Sequence, residues 1–231
     1  MIELQTIIYA LLSCIILIIL SYIILKKYFK KEGNNIPRKS QYLERYAKAI
    51  QKYEKENKKR KYVDIIFIGD SLIYHYDIHQ FYKEYKVLNR GISGEKTFGL
   101  EKRLNISCFE VKSKMVIMLI GINNIKTMFE NYESILIAFK KNINERKIIL
   151  CSLTCMGGKR GRKYNKLAIE NNKVIKNLAI KYNFIFIDLF TPLLNEKTNQ
   201  IYDEYTRDGL HLTYEGYKII TREIKKVIND I

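Results

Sequence analysis

The residues of this chain best able to do chemistry together are a serine at 71 and an aspartate–histidine pair at 208 and 211. Ser71 stands in Gly69-Asp70-Ser71-Leu72, directly after the apolar run VDIIFI at 63–68. If that run is a buried strand, the serine is presented at its carboxyl end, within reach of a substrate. His211, one of three histidines, lies in Thr206-Arg207-Asp208-Gly209-Leu210-His211-Leu212-Thr213. A tight turn brings the Asp208 carboxylate towards the Nδ1 side of that imidazole. A general base needs this pairing, because the carboxylate fixes the tautomer and stabilises the imidazolium that forms. Each piece alone also fits a structural role: Gly-Asp at a strand end suits a turn and a helix N-cap, and an Asp-to-His turn is not rare.

Two further segments follow apolar runs. Arg90-Gly91-Ile92-Ser93-Gly94-Glu95 carries glycines that permit positive φ or close approach of backbone to a ligand, or simply a connecting turn. Gly121-Ile122-Asn123-Asn124 carries asparagines, which commonly form turns. His75 and His79 would share a helical face at i,i+4, but Tyr76 stands where the H-E-x-x-H zinc motif requires glutamate. They read as surface or pocket-rim residues, and the sequence predicts neither a metal nor a cofactor. Cys14, Cys108, Cys151 and Cys155 contain no C-x-x-C pair and read as free, mostly buried thiols.

These groups must be positioned by a chain of 231 residues, long enough for one domain and an appendage. Residues 7–25, IIYALLSCIILIILSYIIL, carry no charge after a short tail at 1–6. As a helix they would span roughly 29 Å, near the hydrocarbon thickness of a bilayer. No basic n-region or small-residue cleavage site accompanies them, so the expectation is an uncleaved transmembrane anchor rather than a signal peptide. The net charge of +17 is concentrated just beyond, where residues 26–61 hold 14 Lys and Arg against 4 acidic residues. A basic connector facing anionic lipid explains this better than a nucleic-acid partner, and none is expected. Lys26, Lys27, Lys30 and Lys31 place the following domain on the cytoplasmic side by the positive-inside rule, with an extracytoplasmic domain as the alternative. Within the connector, Tyr42, Tyr46, Ala49 and Tyr53 recur at helical spacing over 41–55, for packing on the domain or on the membrane.

The remainder, 62–231, alternates apolar runs with amphipathic stretches. Strands are predicted at 63–68, 87–89, 115–120, 147–150 and 184–187, and helices at 98–104, 132–143, 165–182 and 214–228. Near-continuous apolarity suits parallel strands covered on both faces, and the alternation predicts a three-layer α/β domain. In such sheets ligands bind beyond the carboxyl ends of the strands. The four segments named above all fall there.

Taken together and in order, IIFIGDS, NRGISGEKT, LIGINN and DGLHLTYEGY resemble the blocks of the SGNH (GDSL-like) hydrolase superfamily. The resemblance runs from about residue 63 to the final helix. It implies a flavodoxin-like, three-layer α/β/α domain with five parallel strands, and a serine esterase needing no cofactor. It implies Ser71 as nucleophile with Asp208 and His211 completing a triad. The backbone N–H groups of Ser71 and Gly94 and the Asn123 amide would form the oxyanion hole, Gly91 being the less suitable glycine. The family usually has G-x-N-D in its third block, and here Asn124 replaces that aspartate. Substrates in the family include acetylated sugars, lysophospholipids, aryl esters and thioesters. The absence of a long apolar lid segment favours a small-acyl, acetyl-type ester, with a lipid acylhydrolase or a catalytically idle binding module as the alternatives. G-x-S-x-G, the nucleophile elbow of α/β-hydrolases, does not surround Ser71. No feature of the sequence fixes an oligomeric state.

Overall fold

The five apolar runs become five parallel strands of one sheet in the computed structural model, which describes residues 38–230. These are β1 (Tyr62–Gly69), β2 (Val87–Gly91), β3 (Lys112–Leu119), β4 (Lys147–Cys151) and β5 (Ile185–Ile187), in the order β2-β1-β3-β4-β5. Consecutive residues of a strand point to opposite faces. Ile65, Ile66, Phe67 and Ile68 are all fully buried, so β1 is covered on both sides. That double burial is why these strands read as continuous apolar runs rather than alternating ones. The order reverses at β1 and β3, which opens a crevice at their carboxyl ends, the usual ligand position in such sheets.

The helices are α1 (Arg38–Lys59), α2 (Ser71–Tyr74), α3 (Ile78–Phe81), α4 (Thr97–Lys102), α5 (Phe129–Asn142), α6 (Gly158–Tyr182) and α7 (Tyr214–Asn229). The apolar run 7–25, and with it Cys14, lies outside the described residues. Among the described residues no helix is long and apolar enough to cross a membrane. Cys108, Cys151 and Cys155 are buried free thiols.

Three local differences from the sequence reading have physical causes. First, α6 begins at Gly158 instead of 165, because glycines hide its opening turns from any apolar pattern. One of them is obligatory: a Cβ on Gly161 would lie 2.2 Å from the Met156 carbonyl oxygen. Second, His75 and His79 do not share a helical face, since the chain breaks into α2 and α3 with Tyr76 buried between them. Third, a hairpin of β6 (Leu194–Asn195) and β7 (Gln200–Ile201) has strands too short to leave an alternation in the sequence.

The later turns of α1 are stitched to the domain rather than free. Tyr53 is buried and donates its hydroxyl to the Gly91 carbonyl at 2.9 Å. Asn57 donates to the Ile106 carbonyl at 2.7 Å and accepts from Arg90 at 2.7 Å, while Glu56 pairs with the same guanidinium. Tyr53, the last of the periodic tyrosines, thus packs on the domain and reaches the end of β2.

Candidate active site

Ser71 opens α2, one residue after Asp70 caps that helix by accepting the Leu72 N–H at 3.0 Å. The N-cap role and the display of the serine are therefore the same feature of the sequence. The approach of strands is tight here: a Cβ on Gly69 would sit 1.9 Å from the Leu119 carbonyl oxygen of β3. The tip of β2 is equally close to α2, since a Cβ on Gly91 would meet the Tyr74 nitrogen at 2.2 Å. Gly91 is needed for this packing, apart from any role in binding.

The C-terminal loop brings Asp208 and His211 to the serine. His211 Nε2 lies 3.1 Å from Ser71 Oγ, and His211 Nδ1 lies 2.8 Å from Asp208 Oδ2. The turn between them is fixed by Asp208 Oδ1, which accepts the Leu210 and His211 backbone N–H groups at 3.0 and 2.8 Å. Gly209 adopts φ +80° and its carbonyl accepts the Gly157 N–H at 2.8 Å, anchoring the turn to the start of α6. Leu210 and Leu212 are buried on either side of His211, which pins the backbone and leaves the imidazole facing Ser71. Partial burial of Asp208 would raise its pKa, but the His211 backbone N–H and imidazole, then the Leu210 N–H, outweigh it. The carboxyl is held down at about 2 and stays ionised at any ordinary pH.

The other two sequence segments meet at the same point. Gly94 adopts φ +80°, which glycine tolerates without a Cβ clash. Asn123 donates from Nδ2 to the Glu95 carbonyl at 2.9 Å. An amide carries two N–H groups, so this bond positions the side chain and leaves a donor for a ligand. Asn124, in place of the usual aspartate, accepts the Thr97 N–H at 3.3 Å and donates to Thr97 Oγ1 at 2.9 Å. The link an aspartate would make survives, with the threonine hydroxyl now accepting.

Beneath these groups lies a buried ion pair absent from the sequence reading. Arg103 donates from Nε to Glu95 Oε2 at 2.7 Å, from Nη1 to Ser107 Oγ at 2.8 Å and from Nη2 to the Gly69 carbonyl at 3.1 Å. Both side chains of the pair are fully buried. Glu95 stands within the GISGEKT segment, but nothing in the sequence marks Arg103, eight residues on, as its partner. His75 meets His211 edge-on, with ring centroids 5.6 Å apart. Its burial, then the neighbouring His211 and Arg207, lowers its pKa against the opposing pull of Asp208. His75 is thus at the rim of the site, whereas His79 lines a separate cavity with Lys59 and Tyr85. Among the described residues no cluster of metal-binding side chains occurs. A cleft of about 340 Å³ opens beside Asn123 and Leu210, and Lys126 and Arg160 also line it.

A doubly covered parallel sheet with a serine, histidine and aspartate in hydrogen-bonded line at its switch point defines an SGNH-type hydrolase. The family model of the GDSL-like Lipase/Acylhydrolase family matches residues 67–219, and the chain belongs to that family. Among solved structures it is similar to a Streptococcus pneumoniae protein provisionally named a platelet activating factor, with TM-score 0.75 and 25% identity over 82% of this chain and 95% of that one. A GDSL-like lipase from Bacteroides thetaiotaomicron shares the fold at TM-score 0.66 and 24% identity, over 78% of this chain and 97% of the other. The acetylxylan esterase Axe2 from Geobacillus stearothermophilus does so at TM-score 0.59 and 20% identity, over 71% and 93%. A curated relative, the N-acylneuraminate cytidylyltransferase of Escherichia coli, is 26% identical over 187 residues. That match covers 76% of this chain but only 42% of the relative's length.

The buried Arg103 and Asp70 both bear on the stability of the fold. Arg103→Met leaves Glu95 desolvated and removes the tie to Gly69, so it should destabilise the fold by about 3–5 kcal/mol. Urea unfolding within 1 kcal/mol of the parent would contradict that. Asp70 is the second case. Burial, opposed by the Leu72 N–H, pushes its carboxyl from 3.8 up to about 7, and Oδ2 has no partner among the described residues. Between pH 4 and 7 the folded state therefore holds a proton that the unfolded state has released, and this group's contribution to stability declines as pH rises through that window. Asp70→Asn should flatten the decline, stabilising more at pH 8 than at pH 4.5; a pH-independent difference would refute it.

Proposed function

We propose that the chain is a serine esterase hydrolysing small-acyl, acetyl-type carboxylic esters through an acyl-enzyme. The observation that carries this reading is the continuous hydrogen-bond line from Ser71 Oγ through His211 to Asp208. Ser71 Oγ attacks the ester carbonyl carbon as His211 Nε2 takes its proton. The oxyanion is held by the Ser71 and Gly94 backbone N–H groups and the Asn123 amide. The carbon–oxygen bond to the alcohol then breaks, and the alcohol departs with the proton from His211. Water attacks the acyl-enzyme, giving a proton to His211, and Ser71 recovers it as the carboxylic acid is released. Asp208 holds Nδ1–H and stabilises the imidazolium. The preference for a short acyl group is supported by the absence of a long apolar lid segment in the sequence. The shared fold of an enzyme named for acetylxylan agrees with it.

The run 7–25 and the basic residues after it support a tether, a single helix holding the domain at a membrane surface. Lys26, Lys27, Lys30 and Lys31 support a cytoplasmic domain, and a lipid ester would then be the competing substrate. A reporter fused after Ile231 should be active only in the cytoplasm; activity only outside would reverse the orientation.

Ser71→Ala should abolish both ester hydrolysis and labelling by a fluorophosphonate, and retained activity would refute the assignment. An ester panel of graded chain length should peak at acetyl; steady activity on long chains would replace this reading with the lipid acylhydrolase one. Asp208→Asn is more diagnostic still. Its oxygen would stay on the two backbone N–H groups, turning the amide N–H₂ towards Nδ1 and forcing the proton onto Nε2. A wrong tautomer of this kind lowers kcat by about 10⁴ in the worked serine-protease case. A loss under tenfold here would show that the carboxylate does not orient the base.

A further inference from the structure

We infer that the cleft beside Asn123 is a subsite for an anionic group, carboxylate or phosphate, on the alcohol part of the substrate. This rests on the esterase reading above. The cleft is bounded by Asn123, the proposed oxyanion donor, and by Leu210, the residue before His211. A group held there lies beside the proposed donor, where part of a substrate seated on it could reach. An acetyl group is too short to extend there, which leaves the alcohol. Met156 and Leu210 supply an apolar floor, while Lys126, Arg160 and Tyr164 supply the polar wall.

Lys126 and Arg160 are both exposed at the cleft. Among the described residues, neither Lys126 nor Arg160 is paired with a carboxylate. Arg160 also sits in the first turn of α6, which contains no acidic residue there. A helix N-terminus disfavours cations and favours anions, and Lys159, Arg162 and Lys163 crowd the same two turns. Two cations without carboxylate partners, one of them in a helix's first turn against the local electrostatic preference, thus line a cleft that also holds Asn123 and Leu210, and together they favour an anion there. At about 340 Å³ the cleft is at the small end of ligand sites. It suits a sugar acid or a glycerophosphate better than a long acyl chain.

Paired substrates test this. Acetylated glucuronic acid against acetylated glucose isolates a carboxylate, and acetyl-glycerol 3-phosphate against monoacetylglycerol isolates a phosphate. The kcat/KM ratio of anionic to neutral ester should exceed about tenfold in at least one pair, the pair naming the source, and should collapse in Lys126→Ala and Arg160→Ala. Arg160→Lys and Lys126→Arg should retain most of it, and raising the salt from 0.05 to 0.5 M should erode it. Ratios near one in both pairs, or ratios unmoved by the alanine variants, overturn the inference. Calorimetric titration of Ser71→Ala with glucuronate and glycerol 3-phosphate, against glucose and glycerol, reads the subsite without turnover. Selective anion binding with no hydrolysis by the parent would keep the subsite and reject the esterase. Hydrolysis with no anion selectivity would do the reverse.

Discussion

The buried ion pair between Glu95 and Arg103 joins the loops at three strand ends that the sheet already sets side by side. Arg103 reaches the Gly69 carbonyl at the end of β1, two residues before Ser71. Its partner Glu95 follows Gly94 directly, and the Glu95 carbonyl accepts from Asn123 beyond β3. One charge pair thus sets the relative positions of the serine, the glycine loop and the asparagine amide. In a medium of low effective dielectric such a pair is strongly directional, and losing one partner is far worse than never having had either. Tyr53 extends the same network outward, with the Arg90 guanidinium 4.4 Å from its ring and its hydroxyl on Gly91.

The second half of the site is held by a different device. Asp208 and His211 sit on a loop, and their positions come from local backbone bonds and two buried leucines rather than from a strand. Asp208 uses one carboxylate oxygen for the turn and the other for the imidazole. The turn and the orientation of the imidazole are therefore both set by one residue. Tyr217 of α7 donates to the Leu72 carbonyl at 2.8 Å, which couples the helix after this loop to the one that carries Ser71.

The fold and the four reactive segments were legible because they depend on short-range pattern: doubly buried strands leave continuous apolar runs, and each segment follows one of them. Gly91 was legible as a special position but not for its reason, which is the approach of Tyr74. What the sequence concealed depends on distance in the chain. Arg103, Arg90 and Tyr53 acquire meaning only when β1, β2 and α1 are brought together. The start of α6 was hidden because glycines and cations, not apolar residues, form its opening turns. The exchange of the family's aspartate for Asn124 was visible as a difference of type, and only the structure shows that Asn124 both accepts from and donates to Thr97.

Intact-mass and peptide spectrometry of the full chain, quenched during turnover of a slowly deacylating acetyl ester, tests the central claim most directly. One acetyl increment per chain is expected, located on Ser71 and absent from Ser71→Ala. Hydrolysis that proceeds with no increment, or with the acetyl group on any other side chain, would contradict it.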